Sequence, residues 1–236
     1  MIRTLVVLLV CGLSAELQAQ QQPVGVRVLM TQALDDGYKQ ESLIQLNIGP
    51  ALVAPAHMHM GAVFAYIAEG NIENQVDPDP VKTYHPGDFF WEPPMHVHRM
   101  LKNLSTTEGA KIVVFQMGDT GKANAAVKTL IQEPLEKSNN LEATMLILDV
   151  APGGVSTAHK HPGPVIGYIL QGAIENQVDP DPPKTYHVGD YFYEPPLHVH
   201  RVLRNLSKTD PAKVLVFQIG EKGAPGVLSA DTSEKH

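Results

Sequence analysis

Ten of the 11 histidines in this 236-residue chain fall into five pairs at one constant spacing of 102 residues. They are His57/His159, His59/His161, His85/His187, His96/His198 and His98/His200; only His236 stands alone. Four of the pairs form His-x-His units: His57-Met58-His59 and His96-Val97-His98, then His159-Lys160-His161 and His198-Val199-His200. On a strand, alternate side chains share a face, so each unit aims two imidazoles the same way. Two such units on neighbouring strands can bring four imidazoles together. Neutral imidazole suits Zn, Cu, Fe or Ni better than Mg or Ca. One His-x-His is weak support for a metal site, but two in each of two repeats is strong. His85 and His187 sit before Gly-Asp turns and read as loop or outer-face residues.

The spacing of the histidines belongs to a larger repeat. Gly70-Asn71-Ile72-Glu73-Asn74-Gln75-Val76-Asp77-Pro78-Asp79-Pro80 recurs at Gly172 to Pro182, and 28 of 36 positions are identical between residues 70–105 and 172–207. The register extends outward, aligning Leu43–Leu46 with Met145–Leu148 and Phe115-Gln116 with Phe217-Gln218. A unit of about 100 residues is large enough for its own core and too long for a solenoid repeat. Within each unit, short runs such as Ser42–Ile48, Val63–Ala68, Asp88–Trp91 and Lys111–Met117 are rich in β-branched and aromatic residues. Turn residues separate them, at Gly49-Pro50, Glu69-Gly70, Asp77-Pro78, Pro86-Gly87 and Pro93-Pro94. These signals predict an all-β fold of two tandem barrels or sandwiches. The one stretch that could read as helical is the linker Ala123–Ile131, and the domain boundary is expected at about residues 119–127.

Composition excludes several classes of function. Net charge is −7 and there is no basic run, which argues against nucleic-acid binding. Hydrophobic residues make up 43% of the chain, sufficient for packed cores. Arg3, the apolar run Leu5–Leu13 and the small residues Ser14, Ala15 and Ala19 read as a secretory signal cleaved near Ala19. Nine apolar residues are too few to cross a bilayer, which needs about 20; the alternative is a buried first strand. Cys11, the single cysteine, lies in this segment, so cleavage leaves no thiol and no disulfide. The expected organisation is a signal peptide at 1–19 and barrels at 20–121 and 122–236. The mature chain is expected in the periplasm or secreted, without membrane attachment.

These motifs resemble the cupin superfamily, and two-domain cupins in particular. The first motif of that family corresponds to His57-Met58-His59-Met60-Gly61 running to Gly70, and to His159 running to Gly172. The second corresponds to Gly87-Asp88 through His98, and Gly189-Asp190 through His200. The resemblance implies two jelly-roll β-barrels, each with one divalent metal inside. It carries His57, His59 and His98, and His159, His161 and His200, over as ligands. The family's usual glutamate ligand in the first motif is missing, because Val63 or Phe64, and Val165 or Ile166, occupy its place. His96 and His198 are therefore expected either as a fourth ligand or as acid–base groups, and a fourth imidazole would leave a more positive site. Glu92 and Glu194, at Glu-Pro-Pro turns, are candidate bases or else turn and salt-bridge partners. Tyr66 and Tyr168 line the pocket or pack in the core, and Trp91 facing Tyr193 either tunes two pockets or reflects drift. Asn103 and Asn205 fit the motif's trailing asparagine in a backbone-capping role.

The family resemblance implies several functions. The leading reading is a metal-dependent dioxygenase acting on a small organic substrate, of the quercetin or gentisate kind, with Fe(II) favoured and Zn, Cu, Mn or Ni as alternatives. The second is a redox-neutral isomerase, decarboxylase or hydroxynitrile lyase. The third is a non-catalytic periplasmic binder of a metal or small ligand. Chemistry like that of oxalate decarboxylase is disfavoured by the missing glutamate. A homodimer is compatible with all three readings.

Overall fold

The computed structural model describes residues 24–118, 127–135 and 139–230. The expected signal segment 1–19 with Cys11, residues 119–126 of the expected boundary, and His236 lie outside the described residues. All regular elements among the described residues are strands. The first half contains β1 (Val24–Ala33), β2 (Gln40–Ile48), β3 (Val53–Ala54), β4 (His57–Met58), β5 (Val63–Glu69), β6 (Ile72–Val76), β7 (Lys82–Tyr84), β8 (Phe89–Glu92), β9 (Val97–Asn103) and β10 (Ala110–Met117). The second contains β11 (Val127–Pro134), β12 (Leu141–Val150), β13 (His159–Lys160), β14 (Val165–Gln171), β15 (Ala173–Val178), β16 (Lys184–His187), β17 (Tyr191–Glu194), β18 (Val199–Asn205), β19 (Ala212–Glu221) and β20 (Leu228–Ser229). Residues 127–131 of the stretch that could read as helical are therefore strand. Pairing along β2 decides their conformation over local propensity.

The strands form two jelly-roll barrels. The first encloses its interior between the sheet β11-β2-β10-β5-β8 and the sheet β3-β9-β6-β7, with β4 paired to β9. The second uses β1-β12-β19-β14-β17 and β16-β15-β18-β13-β20. Each large sheet takes its edge strand from the other half of the chain. β1 pairs with β12, from Val24 opposite Val150 to Ala33 opposite Glu142. Its repeat counterpart β11 pairs with β2. A division at 121/122 thus leaves β1 and β11 each in the half whose sheet it does not join.

Strand β5 shows why its sequence, Val-Phe-Ala-Tyr-Ile, does not alternate with polar residues: both of its faces are covered. Val63, Ala65 and Ile67 point into the first barrel with Ile44, Ile112 and Val114. Phe64 and Tyr66 point the other way, into a core shared by the two large sheets with Phe115, Met145, Ile166 and Phe217. Phe115 and Phe217, repeat counterparts, stack there with ring centroids 4.6 Å apart. Fully burying such a side chain contributes about 1.5–3 kcal/mol, so this shared core and the exchanged strands couple the barrels. Tyr66 and Tyr168 belong to it, with the Tyr168 hydroxyl donating to Gln45 Oε1 at 3.3 Å. Trp91 and Tyr193 pack against the same core and line neither metal cavity, so they do not tune the pockets.

One charged side chain is buried at the margin of this core. Glu41 is 1% exposed and neither carboxylate oxygen has a hydrogen-bond partner. Burial, with Glu133 opposite it on β11, pushes its pKa from 4.5 up to about 8. The folded state therefore holds the proton more tightly than the unfolded chain. Stability is fully present below about pH 4.5 and is lost as pH rises towards 8. Its repeat counterpart is Ala143. Glu41→Gln should raise the melting temperature at pH 8.5 by several degrees, at about 2–4 °C per kcal/mol. The gain should shrink towards pH 5, as followed by thermal circular dichroism.

Candidate metal centre

Short strands position the first His-x-His unit. β4 pairs with the start of β9, setting His57 opposite His98 and Met58 opposite Val97. The chain then turns tightly against β10. A Cβ at Gly61 would lie 1.8 Å from the Met117 carbonyl oxygen, and one at Gly163 would lie 2.0 Å from that of Ile219, so only glycine fits two residues after each unit. The Met95 N–H donates to the His59 carbonyl at 2.8 Å, and the Leu197 N–H to that of His161 at 2.8 Å, joining the two ligand-bearing segments. Met95 and Leu197 both adopt positive φ, 62° and 64°, a strained conformation for residues with side chains.

In each barrel three imidazoles converge. His57, His59 and His98 present ligand atoms within 4.8 Å of one another, as do His159, His161 and His200. His57 is exposed, whereas His98 and His200 are each 3% exposed. Burial pushes the His59 pKa down, opposed by Glu92, and burial likewise lowers that of His159, favouring neutral imidazoles.

The fourth group is a glutamate from another strand. Alternation along β8 sends Phe90 and Glu92 into the barrel and Phe89 and Trp91 to the shared core. Glu92 is 4% exposed, with Oε1 at 3.3 Å from His98 Nδ1 and Oε2 at 3.5 Å from His59 Nε2. In the second barrel Glu194 Oε2 lies 3.2 Å from His200 Nδ1 and 3.7 Å from His161 Nε2. The carboxylate missing from the first motif is thus restored from the second. The expectation that a fourth imidazole would make the site more positive is corrected.

His96 and His198 do not join the clusters. Both are exposed. Strand β9 starts at Val97, and a turn closed by the His96 N–H on the Pro93 carbonyl, with Met95 left-handed, breaks the alternation that would have put residue 96 beside 98. His198 Nδ1 instead bonds the Pro196 carbonyl at 3.1 Å. Arg99, and to a smaller extent His96, holds the Asp77 carboxyl below its usual range. His85 and His187 are exposed on the outer face, and His85 Nδ1 lies 3.0 Å from Asn71 Oδ1. Asn103 caps the backbone, its amide donating to the carbonyls of Ile48, Gly49 and Glu108; Asn205 repeats this with Val150, Ala151 and Asp210.

The outer hydrogen bonds fix which ring nitrogens carry protons. In the second barrel His159 Nδ1 bonds the Thr157 carbonyl at 2.7 Å, His161 Nδ1 that of Gly226 at 2.8 Å, and His200 Nε2 bonds Asn176 Oδ1 at 2.5 Å. Each partner is an acceptor, so these nitrogens carry the protons and the others are bare lone pairs. Yet His159 Nε2 and His161 Nε2 face one another at 3.0 Å, and buried His200 Nδ1 has no hydrogen-bond partner. Bare lone pairs beside a carboxylate repel one another unless a cation lies among them. Two ligands each about 2.0–2.1 Å from one ion sit roughly 3.0–3.4 Å apart. The His159–His161 contact and the His200–Glu194 contact fall in that range, His161–Glu194 is longer at 3.7 Å, and all three imidazole ligand atoms lie within 4.8 Å of one another. The first barrel repeats this for two of its three rings, with His57 Nδ1 on the Pro55 carbonyl at 2.8 Å and His98 Nε2 on Asn74 Oδ1 at 2.5 Å, and the Nε2 atoms of His57 and His59 are 3.1 Å apart. The residues therefore fit one divalent metal ion per barrel.

Asn74 and Asn176 were not singled out from sequence. The signal was the period-2 pattern Ile72-x-Asn74 on β6, which places an amide on an otherwise apolar inner face. Asn74→Leu removes the acceptor that orients His98, and such outer partners are worth about 10–100-fold in metal affinity. A drop of that size is expected in the first barrel alone, read by competition with a chromogenic chelator.

The three histidines and the glutamate line a cavity in each barrel, about 530 Å³ in the first and about 370 Å³ in the second. The fold and site together define a duplicated metal-binding β-barrel protein. The chain belongs to the cupin family, whose cupin domain matches residues 45–115 and 146–218. Bacillus subtilis oxalate decarboxylase, described with Mn(II) centres, superposes with TM-score 0.58 at 14% identity, covering 84% of this chain and 77% of that one. Lactobacillus farciminis oxalate decarboxylase, in a formate complex, gives TM-score 0.60 at 11% identity over 87% and 86%. AerE from Microcystis aeruginosa gives 0.56 at 16% identity over 83% and 99%. A search of curated proteins finds no match.

Proposed function

We propose that the protein is a metal-dependent enzyme acting on a small organic molecule, with one site in each barrel. The observation that carries this reading is the pair of bare His159 and His161 Nε2 lone pairs 3.0 Å apart, beside Glu194 and in front of a cavity. A divalent ion held there supplies Lewis-acid polarisation of a bound oxygen. His57, His59, His98 and Glu92 would hold it in the first barrel, and His159, His161, His200 and Glu194 in the second. The remaining described walls are mostly apolar. All four residues line the cavity in each barrel, so an ion held by them would be within reach of a small molecule there, which favours turnover over the closed site of a passive metal carrier.

For the reaction class, redox-neutral chemistry with a metal such as Mn(II) is the preferred reading, above oxygenation at Fe(II). The support is the likeness in fold to oxalate decarboxylases, one of them described with Mn(II) centres, together with the carboxylate that Glu92 and Glu194 restore. The test is to load the protein separately with Mn(II) and Fe(II) and to follow a panel of small hydroxy and oxo acids and enols by NMR, in air and without oxygen. Redox-neutral turnover should persist anaerobically with no oxygen uptake. Substrate loss that stops without oxygen would restore the dioxygenase reading. Export to the periplasm or medium, proposed from residues 1–19, is checked by N-terminal sequencing of the mature chain.

A further inference from the structure

The walls of the two cavities narrow the class of substrate, and this inference rests on the metal-enzyme reading above. We infer that each barrel takes a neutral or singly charged molecule with an apolar body and one oxygen-bearing chelating end, and rejects dianions such as oxalate. Apart from the four site residues, the described lining of the first cavity is hydrocarbon, including Ile44, Leu46, Val63, Phe90, Ile112 and Val114, with Gln116 as the one other polar side chain among the described residues. The second is similar, with Ser156, Thr157 and Gln218 as the polar exceptions. Among the described residues, no lysine or arginine lines either cavity. Lys111 and Lys213 instead line a separate cleft between the barrels.

Charge decides the matter. A divalent ion with one carboxylate and three neutral imidazoles leaves one net positive charge. A single negative charge on the ligand neutralises it. A second would be buried in hydrocarbon with no cation to pair with, which is strongly unfavourable. Size points the same way. Cavities of about 530 and 370 Å³ lie within the range of roughly 300–1,000 Å³ typical of sites for ligands much larger than oxalate. The second is walled in part by β1 and by the segment that follows β19. Val24 and Val26 of the exchanged strand β1 line it, as does Val227, and the neighbouring Gly226 carbonyl accepts from both His161 Nδ1 and the Gln218 amide. With the larger volume, the first barrel should accept the longer bodies.

The test uses the full chain loaded with Co(II), with metal content confirmed after gel filtration and ligand binding read from the visible Co(II) spectrum. Oxamate and oxalate share a two-carbon chelating skeleton but differ by one charge, and in water the dianion chelates better. Tropolone and 4-isopropyltropolone share a head and differ only in apolar body. Oxamate is expected to bind at least as tightly as oxalate. The isopropyl group should tighten tropolone binding about tenfold or more, since each buried methylene contributes about 0.8 kcal/mol. Tighter oxalate, or no gain from the isopropyl group, overturns the substrate class while leaving the metal centre standing. If Co(II) is retained but no probe alters its spectrum, the ion has no open position, and the enzymatic reading falls together with this one.

Discussion

His98→Ala is expected to lower bound metal from two ions per chain to one, His200→Ala to do the same from the other side, and the double variant to hold none. Each ligand set lies wholly within one barrel, so the losses should be independent. The choice of these two imidazoles follows from their burial and their orientation. Each is 3% exposed, held by Asn74 or Asn176 through Nε2, and turns an unpartnered Nδ1 into the site. Losing a direct ligand should weaken binding by more than about 100-fold, the upper end for merely outer partners. Elemental analysis of protein purified without a histidine tag gives the stoichiometry. The β-sheet circular dichroism spectrum should be kept, because the hydrophobic contacts of both barrels and of the shared core do not involve these rings. Loss from both barrels in a single variant, or from neither, would contradict the assignment.

What could be read from the sequence was local or periodic. The 102-residue offset exposed the duplication, and the His-x-His units contain all six imidazoles that converge, because alternation along a strand needs no knowledge of the partner strand. The continuous apolar run in β5 was legible as strand. Its cause, a second large sheet packed on the outer face, was not, because it depends on the other half of the chain. The exchange of β1 and β11 was hidden for the same reason. Either strand has the pattern to cover either edge, and the choice is made by non-local pairing. His96 was misread by extending the alternation of β9 one step too far, past a left-handed Met95 that nothing in a Pro-Pro-Met-His string announces. Glu92 reads as a base or as a turn and salt-bridge partner, not as a fourth ligand, because Glu-Pro-Pro marks a turn. Counting by two from Phe90, an inward-facing core residue, would have put its carboxylate in the barrel.

That last pair of residues gives the sharpest discrimination. His96→Ala should leave metal affinity within about twofold, as expected of an exposed side chain away from the centre. Glu92→Gln should lower it in the first barrel by about 100-fold. The amide keeps the shape but removes the only negative charge among the four groups, and a charge buried as Glu92 is counts for more than one exposed to water. The apo protein should respond in the opposite direction. Without an ion, Glu92 is a buried carboxylate whose Oε2 has no hydrogen-bond partner, a situation that costs roughly 1–3 kcal/mol. Glu92→Gln should therefore melt higher than the parent after exhaustive chelation, yet gain less on adding metal. A residue serving only to shape the Glu-Pro-Pro turn would shift both melting temperatures alike. A residue that binds the ion moves them apart, so differential scanning calorimetry with and without metal separates the two roles in a single variant.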